Sequence, residues 1–103
     1  MLVRASSGSG NSGNLSCDTV TKGINQSLVL ETENCMVSVN NTSPAANRSL
    51  IQALVYEGNL IYGDGGAYGN VSYNTTTKTL TVTGTYSGLT YYMSVLGDYN
   101  IIS

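Results

Sequence analysis

From Tyr73 to Thr83 the chain reads Tyr-Asn-Thr-Thr-Thr-Lys-Thr-Leu-Thr-Val-Thr. Two runs of alternating side chains flank a short Asn/Thr turn. This is the pattern of a β-hairpin in which Leu80 and Val82 face a core and Thr79, Thr81 and Thr83 face water. The same alternation recurs elsewhere: Cys35, Val37 and Val39 alternate with Met36 and Ser38, and Leu89, Tyr91, Met93 and Val95 share one face of a later run. No segment shows a helical period.

Strands are therefore expected at Leu15–Val20, Ser27–Glu31, Asn34–Val39, Leu50–Tyr56, Leu60–Tyr62, Ala67–Tyr73, Thr79–Thr83, Leu89–Leu96 and Tyr99–Ile102. Thr32-Glu33, Gly58-Asn59, Gly63-Asp64-Gly65-Gly66, Ser87-Gly88 and Gly97-Asp98 punctuate them. Leu50–Tyr56 is apolar on nearly both faces, which predicts a central strand. The expected fold is all-β: an antiparallel β-sandwich, immunoglobulin-like or jelly-roll, of eight to nine short strands.

A chain of 103 residues makes one domain. Residues 1–13 end in the Gly/Ser-rich run Ala5–Gly13 and read as a flexible N-terminal arm, leaving 14–103 as the folded domain. Only 10% of residues are charged, against roughly 25% in ordinary soluble domains. No stretch approaches the ~18 apolar residues of a spanning helix, so a neutral surface of hydroxyls and amides is expected. The net charge is −2, and Arg4, Lys22, Arg48 and Lys78 are scattered, which argues against nucleic acid as a partner. Met1-Leu-Val-Arg-Ala-Ser lacks the apolar core of a secretory signal, so an exported form would be a mature segment or carry an added methionine.

Seven of eleven asparagines begin an Asn-X-Ser/Thr triplet: Asn14, Asn25, Asn40, Asn41, Asn47, Asn70 and Asn74. Chance would give about three in so Ser/Thr-rich a chain. Each is a candidate glycan acceptor, which points outside the cytosol; the accidental product of a polar surface is the bland reading. In that compartment Cys17 and Cys35 are expected to form a disulfide, with two buried thiols as the alternative. Without histidine or a third cysteine no zinc site is expected, and no other metal or cofactor is implied.

The missing histidine also removes the usual general base, so enzymatic activity is not expected. Glu31 and Glu33 read as a solvated edge, and Asp64 and Asp98 as turn residues. Eight tyrosines are the only aromatic residues. Tyr73, Tyr86 and Tyr91 have core-facing parity; Tyr62, Tyr68, Tyr92 and Tyr99 are candidates for interface or ligand contacts.

Gly88-Leu-Thr-Tyr-Tyr-Met-Ser-Val95 resembles the tyrosine corner of fibronectin type III domains, with Leu89 in place of Thr and Thr85 where that family has Leu. The seven triplets, the Thr75–Thr85 run and the Gly/Ser neck make the chain similar in composition to the secreted β-domains of archaeal pilus and adhesion-filament subunits. That resemblance implies a non-enzymatic, extracellular, cell-surface structural or adhesive module that self-associates or binds other surface proteins, strand donation between subunits being one device. The long apolar N-terminal helix of such pilins is not seen ahead of Arg4. A secreted carbohydrate-binding module with glycan partners is the alternative, and a small secreted effector that binds a host protein is a third reading.

Overall fold

The computed structural model describes residues 16–41, 49–88 and 90–103, and every regular element in them is a strand. These are β1 (Ser16–Lys22), β2 (Ser27–Asn41), β3 (Ser49–Tyr56), β4 (Asn59–Asp64), β5 (Gly69–Asn74), β6 (Thr79–Gly84) and β7 (Tyr91–Ile101). All pair antiparallel. Five lie side by side in the order β1-β7-β2-β3-β4, and the β5–β6 hairpin joins β2 through β6. Among the described residues no helix is long and apolar enough to cross a membrane.

β2 belongs to both parts of the sheet. Its Ser27–Glu31 half pairs with β6 and its Cys35–Asn40 half with β3, while β7 runs along the opposite edge from Leu30 to Asn41. Between the halves the register shifts at Thr32/Asn34, and this bulge bends the strand. Thr32, fully buried, fastens the bend. Its hydroxyl donates to the Asp98 carbonyl at 2.8 Å and accepts from the Asn34 amide at 3.1 Å. Its carbonyl accepts from the Tyr73 hydroxyl at 2.7 Å.

β7 follows the bend at Gly97, where φ is 141°. A Cβ there would lie 2.5 Å from the Asn34 carbonyl oxygen and 2.7 Å from the Cys35 Cα, so the close approach of the two backbones requires glycine. These two bends correct the expected strand count. Thr32-Glu33 and Gly97-Asp98 are kinks inside continuous strands rather than turns between strands, and nine segments become seven.

The bend brings the hairpin over the inner face of β7-β2-β3 in a sandwich-like arrangement. Leu28, Leu30, Leu80 and Val82 meet Val37, Val39, Ile51, Ala53, Val55, Met93 and Val95 in one core. The hairpin itself lies where the sequence places it. Its turn is held by the Asn74 side-chain carbonyl, which accepts from the amides of Thr76 at 2.9 Å and Thr77 at 3.0 Å. Thr79, Thr81 and Thr83 are half-buried on the opposite side. Tyr91 is fully buried; its hydroxyl accepts from the Tyr86 amide at 2.8 Å and has the carbonyls of Tyr68 and Tyr86 each at 3.1 Å for its own proton.

The expected Cys17–Cys35 disulfide is absent: both are free thiols, Cys17 exposed and Cys35 buried. Register explains why. Cys17 lies opposite Leu96 on β1 and Cys35 opposite Gly97 on β2, so β7 stands between them and their side chains leave opposite faces. Two strand spacings, roughly 9.6 Å, exceed what a disulfide spans. A maleimide should therefore label one thiol in the folded chain and both in denaturant; two unreactive thiols that become labelled only after reduction would restore the bridge.

Burial pushes the Cys35 thiol up from 9.0 to about 11, the Thr32 hydroxyl bond offsetting part of the shift. Tyr73, Tyr91 and Tyr99 are also raised, chiefly by burial. In each case the folded state keeps a proton that the unfolded chain releases, so this stability is intact at low pH and is lost as pH rises. Denaturation midpoints should fall from about pH 9 upward, the thiol contributing on the order of 2–3 kcal/mol by pH 11. Cys35→Val should remove the thiol's part of the fall, which runs from pH 9 to about 11, and leave that of the tyrosines; an unchanged slope would refute the assignment.

Candidate interaction face

Side chains at even positions of β3 and of β7 as far as Leu96, and odd positions of β1, leave the outer face of the five-stranded sheet, away from the core. The register aligns one of them from each strand. Cys17 lies opposite Leu96, Leu96 opposite Met36, Met36 opposite Leu54, and Leu54 opposite Tyr62. The result is a straight row across β1, β7, β2, β3 and β4. Its members are exposed: Met36 50%, Tyr62 50%, Leu96 45% and Leu54 37%, with Cys17 also open to solvent. A shallow apolar groove runs among Met36, Leu54 and Tyr62.

The neighbouring row is polar: Thr19, Ser94, Ser38, Gln52 and Asp64. The hydroxyls of Thr19 and Ser94 lie 3.3 Å apart. Asp64 accepts from the Tyr62 hydroxyl at 3.3 Å and from the Gly66 amide at 3.0 Å, the turn role expected of it. Its negative charge, more than burial or the hydrogen bond, raises the Tyr62 hydroxyl above its ordinary value. Tyr62 thus stays a neutral donor, one end of its ring on the apolar row and the other at Asp64.

The four candidate tyrosines separate. Tyr62 and Tyr92 share the outer face, Tyr92 being 41% exposed in the next row between Thr21 and Asn40. Tyr68 is half-buried, its ring edge-on to Tyr86 with centroids 5.1 Å apart. Tyr99 is buried, and its hydroxyl donates to Asp18 at 2.5 Å. It reaches the interior because β7 runs on through Gly97-Asp98, so Tyr99 keeps the inward parity of Tyr91, Met93 and Val95, while the kink buries Asp98 beside it. The expected exposure of Tyr99 and the expected turn role of Asp98 are corrected for that reason. Tyr86, expected in the core, is exposed instead.

Among the candidate glycan acceptors, Asn25, Asn70 and Asn74 are exposed and Asn40 is half-buried in β2. Asn41 ends β2, while Asn14 and Asn47, like the arm of residues 1–13, lie outside the described residues.

Met36, Leu54 and Leu96 were not legible as site residues. The available signal was Leu50–Tyr56, apolar on both faces. β3 is not buried on both sides as that pattern predicts: Ile51, Ala53 and Val55 are buried, whereas Gln52, Leu54 and Tyr56 are exposed. The second apolar face is surface.

No known family model, curated protein or solved structure matches the chain. The face therefore has to be read from its own chemistry. On it Thr19 pairs with Ser94 and Tyr62 with Asp64, and what its central row offers a partner is apolar area.

Proposed function

We propose that the chain is a non-enzymatic structural or adhesive module of an extracellular assembly, such as the β-domain of a pilus or surface filament, and that it works by burying its outer sheet face against a neighbour. The exposed row Cys17–Leu96–Met36–Leu54–Tyr62 carries this reading. Contiguous apolar patches of several hundred Å² are uncommon on free monomers and mark interaction surfaces. The charge-poor composition and the exposed triplet asparagines Asn25, Asn70 and Asn74 support an extracellular setting. Seven strands among the described residues favour the immunoglobulin-like alternative over an eight-stranded jelly roll.

A carbohydrate-binding module would use Tyr68, Tyr92 or Tyr99 as its sugar-stacking platform. With Tyr99 buried and Tyr68 edge-on to Tyr86, that reading has less support. Light scattering across a dilution series, with negative-stain microscopy, tests the proposal. Concentration-dependent assemblies are expected; a monodisperse 10.8 kDa particle at every concentration would overturn it.

A further inference from the structure

We infer that the occupant of the outer face is a second copy of this chain, docked face to face with apolar row on apolar row, so that Met36 meets its own counterpart at the two-fold axis. This rests on the reading of that face as an interface and adds what covers it and in which geometry.

Charge selects the partner. The row contains no Asp, Glu, Lys or Arg, and the adjoining polar row holds one formal charge, Asp64, at its β4 end. A strongly acidic or basic partner would find nothing complementary here. A second copy meets a surface as neutral as its own, with the two Asp64 carboxylates at the margin where water screens them.

Area is sufficient. Five strands at about 4.8 Å spacing, each presenting about seven residues at roughly 3.3 Å, make a face of about 550 Å² in projection. Side-chain relief raises its accessible area toward the ~800 Å² per partner of a standard interface. Two such sheets pack about 10 Å apart, the spacing within any β-sandwich.

Symmetry then places the centre. A closed dimer using one face must be isologous, with its two-fold axis in the interface plane. Laying the row on its image puts that axis near the direction of the row or near that of the strands. The first choice sets Leu96 against Leu96 and Leu54 against Leu54; the second sets Leu96 against Leu54. Met36 is the middle of the five residues and faces itself in both. A crossing angle of about 30° between the sheets rotates the rows about their midpoint and leaves Met36 in place.

The test uses Cys17→Ser with Met36→Cys, and as its control Cys17→Ser with Ser72→Cys, Ser72 being exposed on β5 away from the face. Buried Cys35 remains in both. A bis-maleimide reagent with a reach of about 10 Å matches the sheet spacing and joins two thiols through two thioether bonds, each formed by addition of S–H across a maleimide C=C with no leaving group. Folding of each variant is checked by its denaturation midpoint, and assembly by light scattering before cross-linking. Dimer formation at least tenfold faster for Met36→Cys than for Ser72→Cys supports the inference. Equal rates in material that scatters as an assembly overturn it while leaving the face's broader role standing. Monomer at all concentrations, with Met36→Cys uncross-linked, overturns both.

Discussion

Met36→Asp is expected to disperse the assembly with little effect on the fold. The side chain is half-exposed on the outer face, so the isolated domain loses almost no buried area. In the face-to-face pair, each copy would instead bury a carboxylate opposite a second carboxylate. A desolvated like-charge contact of this kind costs several kcal/mol, which weakens association by a hundredfold or more, on the order of 3 kcal/mol. Sedimentation or light scattering on dilution should show the shift, with Ser72→Asp on β5 unchanged. Equal dissociation of the two variants would remove the outer face from the interface.

Gly84→Ala is expected to destabilise the fold by about 1–3 kcal/mol, although alanine usually strengthens a strand position held by glycine. A Cβ at position 84 would run into the ring of Tyr91, which is fully buried and held through its hydroxyl to the Tyr86 amide. The ring cannot retreat without giving up that bond. In urea titrations, combining Gly84→Ala with Tyr91→Leu should cost clearly less than the sum of the two single changes, because the smaller side chain clears the space. Strict additivity would show that the contact is not what constrains Gly84.

Local alternation made much of this architecture legible. The β5–β6 hairpin, with Leu80 and Val82 inward, follows from a strong period of two and a turn closed by Asn74. The Cys35-Val37-Val39 and Tyr91-Met93-Val95 faces followed in the same way. What failed was everything that depends on how one strand lies against another far along the chain. Thr32-Glu33 and Gly97-Asp98 carry the composition of turns, yet each is a kink enforced by the strand beside it. Register decides such a kink, and it is not written locally.

The disulfide failed for the same reason, since sequence separation says nothing of β7 standing between Cys17 and Cys35. Tyr99 is expected to start a new strand after a Gly97-Asp98 turn; because β7 continues through those residues, Tyr99 carries on the inward parity of Tyr91, Met93 and Val95. Leu50–Tyr56 is the instructive case. Its two apolar faces predict a central strand, and β3 does lie between β2 and β4, but the domain buries only one of those faces. The candidate site was thus present in the sequence as an excess of hydrophobicity, and only the structure could assign it to the surface.

Ser16 lies opposite Gly97 and Lys22 opposite Tyr91, so β1 begins at the end of the sheet where β7 nears its finish. Tension applied between residue 16 and residue 103 would open this ladder rung by rung from the Ser16 end, like a zipper. Hydrogen bonds broken singly resist far less than bonds loaded together in shear. Pulled this way the domain yields at β1 long before its core is threatened. Load that enters across the outer face is instead shared by five strands at once, so the same small domain is mechanically weak through its ends and strong through its flank.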